Sequence, residues 1–175
     1  MRPVTLIAAL LAGLSGCGSP GDPALGSPGE DEPARTYDCP GTDGEPRFYL
    51  TSPPPDWDPL DSAVYEVRHQ YQGMVVIIPP LWIGGLAGGE VISDFGITFT
   101  DEDGVLLGER HNHGLQVTCL RDDVTGADWL EVFFDPGTPR GSLDGVRGTV
   151  EVTGFAPDGA PMQDAVEAVL KHPLE

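Results

Sequence analysis

Short apolar segments with turn residues between them make up most of the sequence after its N-terminal quarter. Phe95, Ile97 and Phe99 alternate with polar or small residues in DFGITFT, and Val150 and Val152 do the same in GTVEVTGF. Alternation of this kind puts one face of a β-strand in a core and the other in solvent. Turn-forming stretches such as DEDG and PDG separate the segments. The pattern therefore constrains the chain to an all-β fold.

The spacing of these segments indicates how the strands are arranged. Turn signals recur about every 8–15 residues, which is typical of an antiparallel β-sandwich. Residues 161–172 fit two patterns. Met162, Val166 and Val169 match helical spacing, whereas every second residue from Val166 to Leu170 matches a strand. The residues alone leave the structure of this segment open.

The same C-terminal region carries a resemblance. GTVEVTGFAPDGAPMQDAVEAVL, which starts at Gly148, resembles the last hairpin of immunoglobulin-like domains in extracellular bacterial proteins, where two alternating strands flank a turn of the D-G type. The resemblance implies that residues 161–172 form a strand. It also implies that residues 37–175 form a single immunoglobulin-like β-sandwich domain, which is a common domain size.

The start of the sequence has the organisation of an export signal. A positive charge precedes an apolar run from Val4 to Leu14, which is shorter than the roughly 20 apolar residues that a membrane-spanning helix needs. LSGC at positions 14–17 then resembles the lipobox of bacterial lipoproteins, in which the cysteine is lipidated and becomes the mature N-terminus. The resemblance implies a signal peptide at residues 1–16 and a lipid on Cys17. An ordinary secretory peptide with a chance cysteine is the alternative.

A lipid on Cys17 would determine where the protein resides. Each buried methylene group of an acyl chain contributes about 0.8 kcal/mol, and the several chains that this family carries on one cysteine hold a protein stably on a membrane. In enteric lipoproteins an Asp after the cysteine favours the inner membrane, and this chain has Gly18 there. The resemblance therefore implies a protein of the Gram-negative cell envelope, attached to the outer membrane through Cys17.

Composition predicts a tether and excludes one class of partner. Residues 17–36 are rich in Gly, Pro and acids and contain too few apolar side chains to bury a core, so we expect a flexible linker. The whole chain has 9 Lys+Arg against 28 Asp+Glu, a formal net charge of -19. Such a surface repels nucleic acid, because binding to nucleic acid depends on cations that neutralise phosphates.

The roles of the other two cysteines depend on the lipobox resemblance. With Cys17 assigned to lipid, an exported chain retains Cys39 and Cys119, and we expect these two to form a disulfide. A redox-active or metal-binding thiol is the alternative. A blue-copper site needs a histidine and a methionine shortly after its cysteine, but the residues that follow Cys119 are LRDDVTGADW.

One short motif contains candidate metal ligands. His111 and His113 in ERHNHG would project from the same face of a strand, and this spacing lets two imidazoles reach one zinc or copper ion. A third ligand would have to come from elsewhere in the chain, such as His69 or His172. The alternative is a pair of solvent-exposed histidines in a loop, which Gly114 favours.

An acidic stretch is a second candidate for a metal site. Asp101, Glu102 and Asp103 offer oxygen ligands for calcium, and Asp122 and Asp123 could add to them. The periodic ligand pattern of an EF-hand loop is missing from this stretch. Adjacent acids are also typical of an exposed turn, which is the alternative.

The signatures of other functions are sparse in the sequence. Trp57 lies between two aspartates in a Pro-rich loop and could stack on a sugar ring, whereas Trp82 lies in an apolar run and is expected in the core. The sequence has no G-x-S-x-G motif and no Gly-rich loop before a predicted helix. A carboxylate pair for glycoside hydrolysis has no specific signal among so many acids.

These observations predict a non-enzymatic lipoprotein with a binding or structural role and no cofactor. Its expected partners are the membrane, through the lipid on Cys17, and another envelope protein or a polysaccharide. One alternative is a periplasmic metal-binding protein that uses His111 and His113. The other is an envelope hydrolase with a carboxylate pair.

Overall fold

The structure, a computed structural model, describes residues 39, 43–53, 56, 58–70, 73–121, 124–127, 130–139 and 141–173. The chain divides into two units, Met1–Arg35 and Thr36–Glu175, and the described residues all lie in the second unit. The predicted signal peptide and linker, including Cys17, lie outside the described residues.

Twelve β-strands account for most of the described residues, and the predicted all-β class is confirmed. The last strand covers the segment that fitted both helical and strand spacing, so the strand prediction for residues 161–172 is also confirmed. The strands are β1 Arg47–Leu50, β2 Ser62–Glu66, β3 Arg68–His69, β4 Val75–Ile77, β5 Leu81–Gly84, β6 Val91–Asp101, β7 Leu106–Gln116, β8 Thr118–Arg121, β9 Val124–Ala127, β10 Val132–Phe134, β11 Arg147–Phe155 and β12 Pro161–Lys171.

The strands form two sheets. One has four strands in the order β1-β5-β9-β8, and the other has eight in the order β2-β12-β11-β6-β7-β10-β4-β3. Neighbouring strands are antiparallel, as predicted, except that β2 pairs with β12 in parallel. These two strands are separated by most of the domain, so no tight hairpin forces them to run in opposite directions.

The eight-stranded sheet curls back on itself. Its two outermost strands, β2 and β3, are separated in the chain by the single residue Val67. The N–H of Val67 donates to the carbonyl of Lys171 in β12 at 2.7 Å, and the next residue, Arg68, pairs with Val76 in β4. One continuous segment therefore connects both edges of the sheet, and the alternation pattern in the sequence did not predict this closure.

The hairpin of β11 and β12 pairs antiparallel in the register Val150↔Val166. Its turn is closed by two hydrogen bonds, from Ala156 N to Ala160 O and from Gly159 N to Ala156 O, both at 2.9 Å. Gly159 has a φ of 84°, a left-handed value that glycine adopts at no steric cost. The predicted D-G turn between two alternating strands is therefore present.

Both sheets contribute to one hydrophobic core. Phe48 in the four-stranded sheet meets Phe95 in the eight-stranded sheet edge to face, with ring centroids 5.9 Å apart. The inward-facing residues predicted in DFGITFT and GTVEVTGF are fully buried. The largest fully buried side chains are Phe95, Phe99, Leu50, Ile77, Leu81, Ile83, Ile92, Ile97, Leu130, Leu170, Val67 and Val76.

The described part of the chain has no helix that is both long enough and apolar enough to cross a bilayer.

Candidate functional site

Cys39 and Cys119 are joined as a disulfide in the structure, with their Cα atoms 5.8 Å apart across 80 residues of sequence. This Cα separation is ordinary for a disulfide. The bond links the chain before β1 to strand β8. Gly88 lies directly against it, because its N–H donates to the carbonyl of Cys39 at 3.1 Å and a Cβ there would lie 2.5 Å from the Sγ of Cys119.

His111 and His113 lie on β7 and are both exposed. The stretch continues as strand to Gln116, so the loop interpretation based on Gly114 is wrong: this glycine pairs with β6. His111 Nε2 lies 3.2 Å from Glu109 Oε2, and both side chains are more than half exposed. Within the described ranges, no group of three or more His, Cys, Asp or Glu side chains could hold a metal ion.

The other two histidines of the chain lie together, away from this motif. The Nε2 atoms of His69 and His172 are 3.0 Å apart, and the ring centroids are separated by 5.2 Å with a tilt of 55°. His69 ends β3, and His172 follows β12 directly. The closure of the curled sheet at Val67 brings these two positions together, although they are 103 residues apart in sequence. Neither histidine therefore serves as a third ligand for the β7 pair.

The acidic stretch between β6 and β7 forms a tight turn. One carboxylate oxygen of Asp101, Oδ1, accepts from the N–H of Asp103 at 3.0 Å and from the N–H of Val105 at 2.8 Å. Such bonds are typical of a turn that an Asp side chain organises. Asp122 and Asp123, the other predicted calcium ligands, lie outside the described residues. The carboxylate of Asp101 thus has a structural role in the hairpin.

A pair of stacked aromatic rings lies on the four-stranded sheet. Tyr49 and Trp82 face each other from β1 and β5, with ring centroids 4.7 Å apart and planes 25° from parallel. Trp82 is half-buried rather than part of the core, because it alternates with the buried Leu81 and Ile83. The rings border a cavity of about 360 Å³. Trp57, the predicted sugar-stacking residue, lies outside the described residues.

A larger cleft, of about 710 Å³, runs along β2. Every residue of Ser62–Glu66 borders it, and the other residues that line it are 51–53, Leu60, Arg68, 78–80 and Ala127. The walls are largely aliphatic and proline-rich. Val64, which lines this cleft from β2, is 60 % exposed. Sequence reasoning missed the cleft because it depends on how segments between residues 51 and 80 pack together with Ala127, and the only local signal is the pair of prolines at 79 and 80.

Strand β2, which lines the cleft, also carries a buried tyrosine hydroxyl. Tyr65 in β2 is 6 % exposed, and its hydroxyl has no hydrogen-bond partner among the described residues. Burial raises the pKa of Tyr65, and the nearby charge of Asp164 raises it further. The hydroxyl therefore stays protonated and neutral at physiological pH.

Comparisons of this chain with protein-family models, with curated proteins and with solved structures find no match.

Proposed function

We propose that this chain is a lipid-anchored protein of the bacterial cell envelope whose β domain binds an extended peptide segment of another envelope protein, without converting it chemically. The LSGC motif supports the anchor through Cys17, and residues 17–36 support a tether that holds the domain off the membrane. The observation that carries the binding role is the cleft beside β2.

The proposal includes the immunoglobulin-like sandwich. Two features support it: a core shared by two mainly antiparallel sheets, and the final antiparallel hairpin. The curled eight-stranded sheet, with its parallel β2–β12 pair, is an addition to the usual two-sheet arrangement. The cleft lies beside β2, which belongs to this added element. The proposed binding site is therefore at the part of the fold that differs from the usual sandwich.

The cleft has the size and shape of a ligand site. Its volume of about 710 Å³ falls within the common range for binding pockets, about 300–1,000 Å³. Exposed apolar side chains such as Val64, together with proline-rich walls, offer a surface that gains free energy when water leaves it. The cleft is concave and apolar, and it lies beside a strand edge.

The backbone of β2 favours a peptide as the ligand. In a β-ladder, alternate residues direct their N–H and C=O groups to opposite sides of the strand. Because Val67 donates to Lys171 in β12, the residues in step with it, Ala63 and Tyr65, also face β12. The N–H and C=O of Val64 therefore point away from β12, toward the cleft. In the described part of the sheet β2 is an end strand, so an added peptide strand can pair with these groups.

Charge indicates the composition of such a peptide. The chain carries a formal net charge of -19, so a segment with Lys or Arg beside its apolar residues is attracted to it over a distance. A polysaccharide lacks the regular series of amide donors and acceptors that a strand edge recognises. We therefore expect an extended, apolar segment with basic flanks.

A pair of substitutions at one residue tests this proposal. Val64→Pro removes the N–H that points into the cleft and leaves the hydrogen bonds to β12 in place, whereas Val64→Thr keeps the backbone donor and the side-chain size. The full chain with Cys17→Ser would be screened against an array of unstructured octapeptides. We expect some octapeptides of the predicted composition to bind the Val64→Thr chain. Their affinity for the Val64→Pro chain should be at least tenfold lower. Binders indifferent to Val64→Pro, or a polysaccharide ligand with no peptide binder, would overturn the peptide assignment.

A further inference from the structure

We propose that His69 and His172 form a binding site for one divalent transition-metal ion, Zn²⁺ or Cu²⁺, at the seam where the eight-stranded sheet closes. This site is separate from the predicted pair at His111 and His113. It shares no residue with the peptide-binding cleft.

The distance between the two ring nitrogens fits joint coordination. The Nε2 atoms of His69 and His172 are 3.0 Å apart. Metal–nitrogen bonds of about 2.0–2.1 Å place two ligand nitrogens about 3.3 Å apart in a tetrahedral site and about 2.9 Å apart at adjacent corners of a square-planar one. The observed distance lies between these values, so both nitrogens can reach one ion once the rings turn from the present hydrogen bond to point their lone pairs at it.

The tautomer of His172 directs its lone pair toward His69. Nδ1 of His172 lies 3.0 Å from the carbonyl oxygen of Pro173. A carbonyl oxygen only accepts hydrogen bonds, so Nδ1 of the neutral His172 ring carries the hydrogen and its Nε2 lone pair accepts from the Nε2–H of His69. A bound ion would take the place of this hydrogen, which leaves as a proton or moves to Nδ1 of His69. A hydrogen bond from the distal nitrogen to a backbone carbonyl is the usual arrangement for a metal-binding histidine.

The backbones that carry the two rings are fixed before any ion arrives. His69 pairs with Val75 in the sheet. The N–H of His172 donates to Asp144 Oδ1 at 3.0 Å, and the carbonyl of the preceding Lys171 accepts from Val67 at 2.7 Å. Because both rings are already positioned, binding an ion requires little further loss of conformational entropy.

Two protein ligands leave room for water in the coordination shell. No third His, Cys, Asp or Glu completes a metal-binding group with these rings in the part of the chain that the structure describes. The pair lies at the surface, where water supplies the remaining ligands. We therefore expect an exchangeable ion, bound less tightly than in a closed four-ligand structural site.

Bound metal would stabilise the fold at its seam. An ion that binds the folded chain and not the unfolded chain raises the melting temperature in proportion to the logarithm of its concentration. The ion would join the end of β3 to the residue after β12, which are the two positions that meet when the sheet closes. A thermal shift should therefore accompany binding and disappear with either histidine.

The test is calorimetric titration of ZnCl₂ and CuCl₂ into the full chain carrying Cys17→Ser, which excludes the predicted lipid cysteine as a ligand. We expect one ion per chain, and a loss of at least tenfold in affinity for His69→Gln and for His172→Gln. The double variant His111→Ala/His113→Ala is the matched control and should bind normally. Unchanged binding in both Gln variants, or binding abolished in the control, would overturn the assignment.

A second readout separates loss of the ligand from loss of the fold. In NMR spectra, sub-stoichiometric Cu²⁺ should broaden the ring protons of His69 and His172 before those of His111 and His113. Each Gln variant should keep the wild-type amide spectrum away from the seam but show no rise in melting temperature with Zn²⁺. Broadening that begins at His111 and His113 would contradict the proposal.

Discussion

Asp164 in β12 accepts a hydrogen bond from the backbone N–H of Leu50 in β1, with 2.7 Å between Oδ2 and the nitrogen. The bond joins the eight-stranded sheet to the four-stranded sheet across the edge of their shared core. Leu50 is fully buried and its bond to Asp164 is partly buried, so removing the carboxylate would leave this N–H without its acceptor in a largely apolar setting. The shared core consists mainly of apolar side chains, whose packing is non-directional, so this polar contact also fixes the relative position of the two sheets.

Replacing this carboxylate should therefore destabilise the domain. We expect Asp164→Ala to lower the free energy of unfolding by about 1.5–3 kcal/mol, the range for a hydrogen bond to a charged group. Asp164→Asn keeps an acceptor and should cost less. Urea denaturation measures both, with Gln163→Ala as a control because that neighbouring side chain is exposed. A cost for Asp164→Ala no larger than that of the control would show that the bond does not stabilise the sheets.

Because of Tyr65, the stability of the domain should depend on pH in the alkaline range. Burial and, to a lesser extent, Asp164 raise the pKa of Tyr65 above its ordinary value of 10.0. As the pH rises, the unfolded chain releases this proton before the folded chain does. The free energy of unfolding is therefore unaffected by this group below about pH 10 and falls progressively above it. We expect Tyr65→Phe to abolish this part of the alkaline loss, measured by urea denaturation from pH 8 to 11, while Tyr49→Phe leaves it unchanged.

The same substitution should not destabilise the domain at neutral pH. The hydroxyl of Tyr65 is buried without a partner among the described residues, so its removal relieves a desolvation cost. We expect Tyr65→Phe to leave the free energy of unfolding unchanged or to raise it by up to about 1 kcal/mol. A loss of more than about 1 kcal/mol would indicate a hydrogen-bond partner for the hydroxyl.

The strands were predictable because the alternation of side chains is a local property. Phe95, Ile97 and Phe99 face the core for the reason their spacing indicated, and the same holds for β11. The segment from residue 161 needed the hairpin resemblance, since its own spacing fitted both a helix and a strand. Local patterns do not, however, specify which distant strands pair. The parallel β2–β12 pair and the closure at Val67 depend on such pairing.

The difference between local patterns and long-range strand pairing also explains which candidate sites the sequence could reveal. The sequence indicated His111 and His113 as candidate ligands because they are close in sequence. Within the described residues, however, the only charged partner of His111 is Glu109. His69 and His172 carried no local signal, and their proximity depends on the closed sheet. The cleft beside β2 combines residues 51–53, β2, residues 78–80 and Ala127, so it too required the tertiary structure. Both proposed sites lie where non-local pairing departs from the expected sandwich.

Gly88 should be sensitive to the smallest added side chain. A Cβ at this position would lie 2.5 Å from the Sγ of Cys119, closer than real contacts allow. We expect Gly88→Ala to displace the disulfide and to lower the free energy of unfolding by about 1–3 kcal/mol, as other overpacked sites do. Gly137→Ala is the matched control, because a Cβ there meets nothing within 4 Å and its φ is not positive. Equal stability of the two variants would contradict the close packing of Gly88.

The disulfide itself should contribute more to the free energy of unfolding than the close packing of Gly88 does. Closing a loop of 80 residues stabilises a fold by up to about 4–5 kcal/mol in the chain-entropy model. We expect the Cys39→Ala/Cys119→Ala chain to lose a comparable amount, measured by urea denaturation without reductant. Reducing the wild-type chain should lower its stability to that of the double variant, and adding reductant to the double variant should change nothing. Equal stability of the wild-type chain and the double variant in the absence of reductant would contradict a stabilising Cys39–Cys119 bond.

The proposed lipid anchor predicts a change in cell fractionation. If LSGC is processed as in bacterial lipoproteins, Cys17 carries the acyl chains and is the attachment to the membrane. Cys17→Ser should move the protein from the membrane fraction to the soluble envelope fraction in a Gram-negative host. Gly18→Ala is the control, because it keeps the cysteine and should leave the protein with the membranes. If the Cys17→Ser chain stayed in the membrane fraction after a high-salt wash, the lipid on this cysteine would not be the anchor.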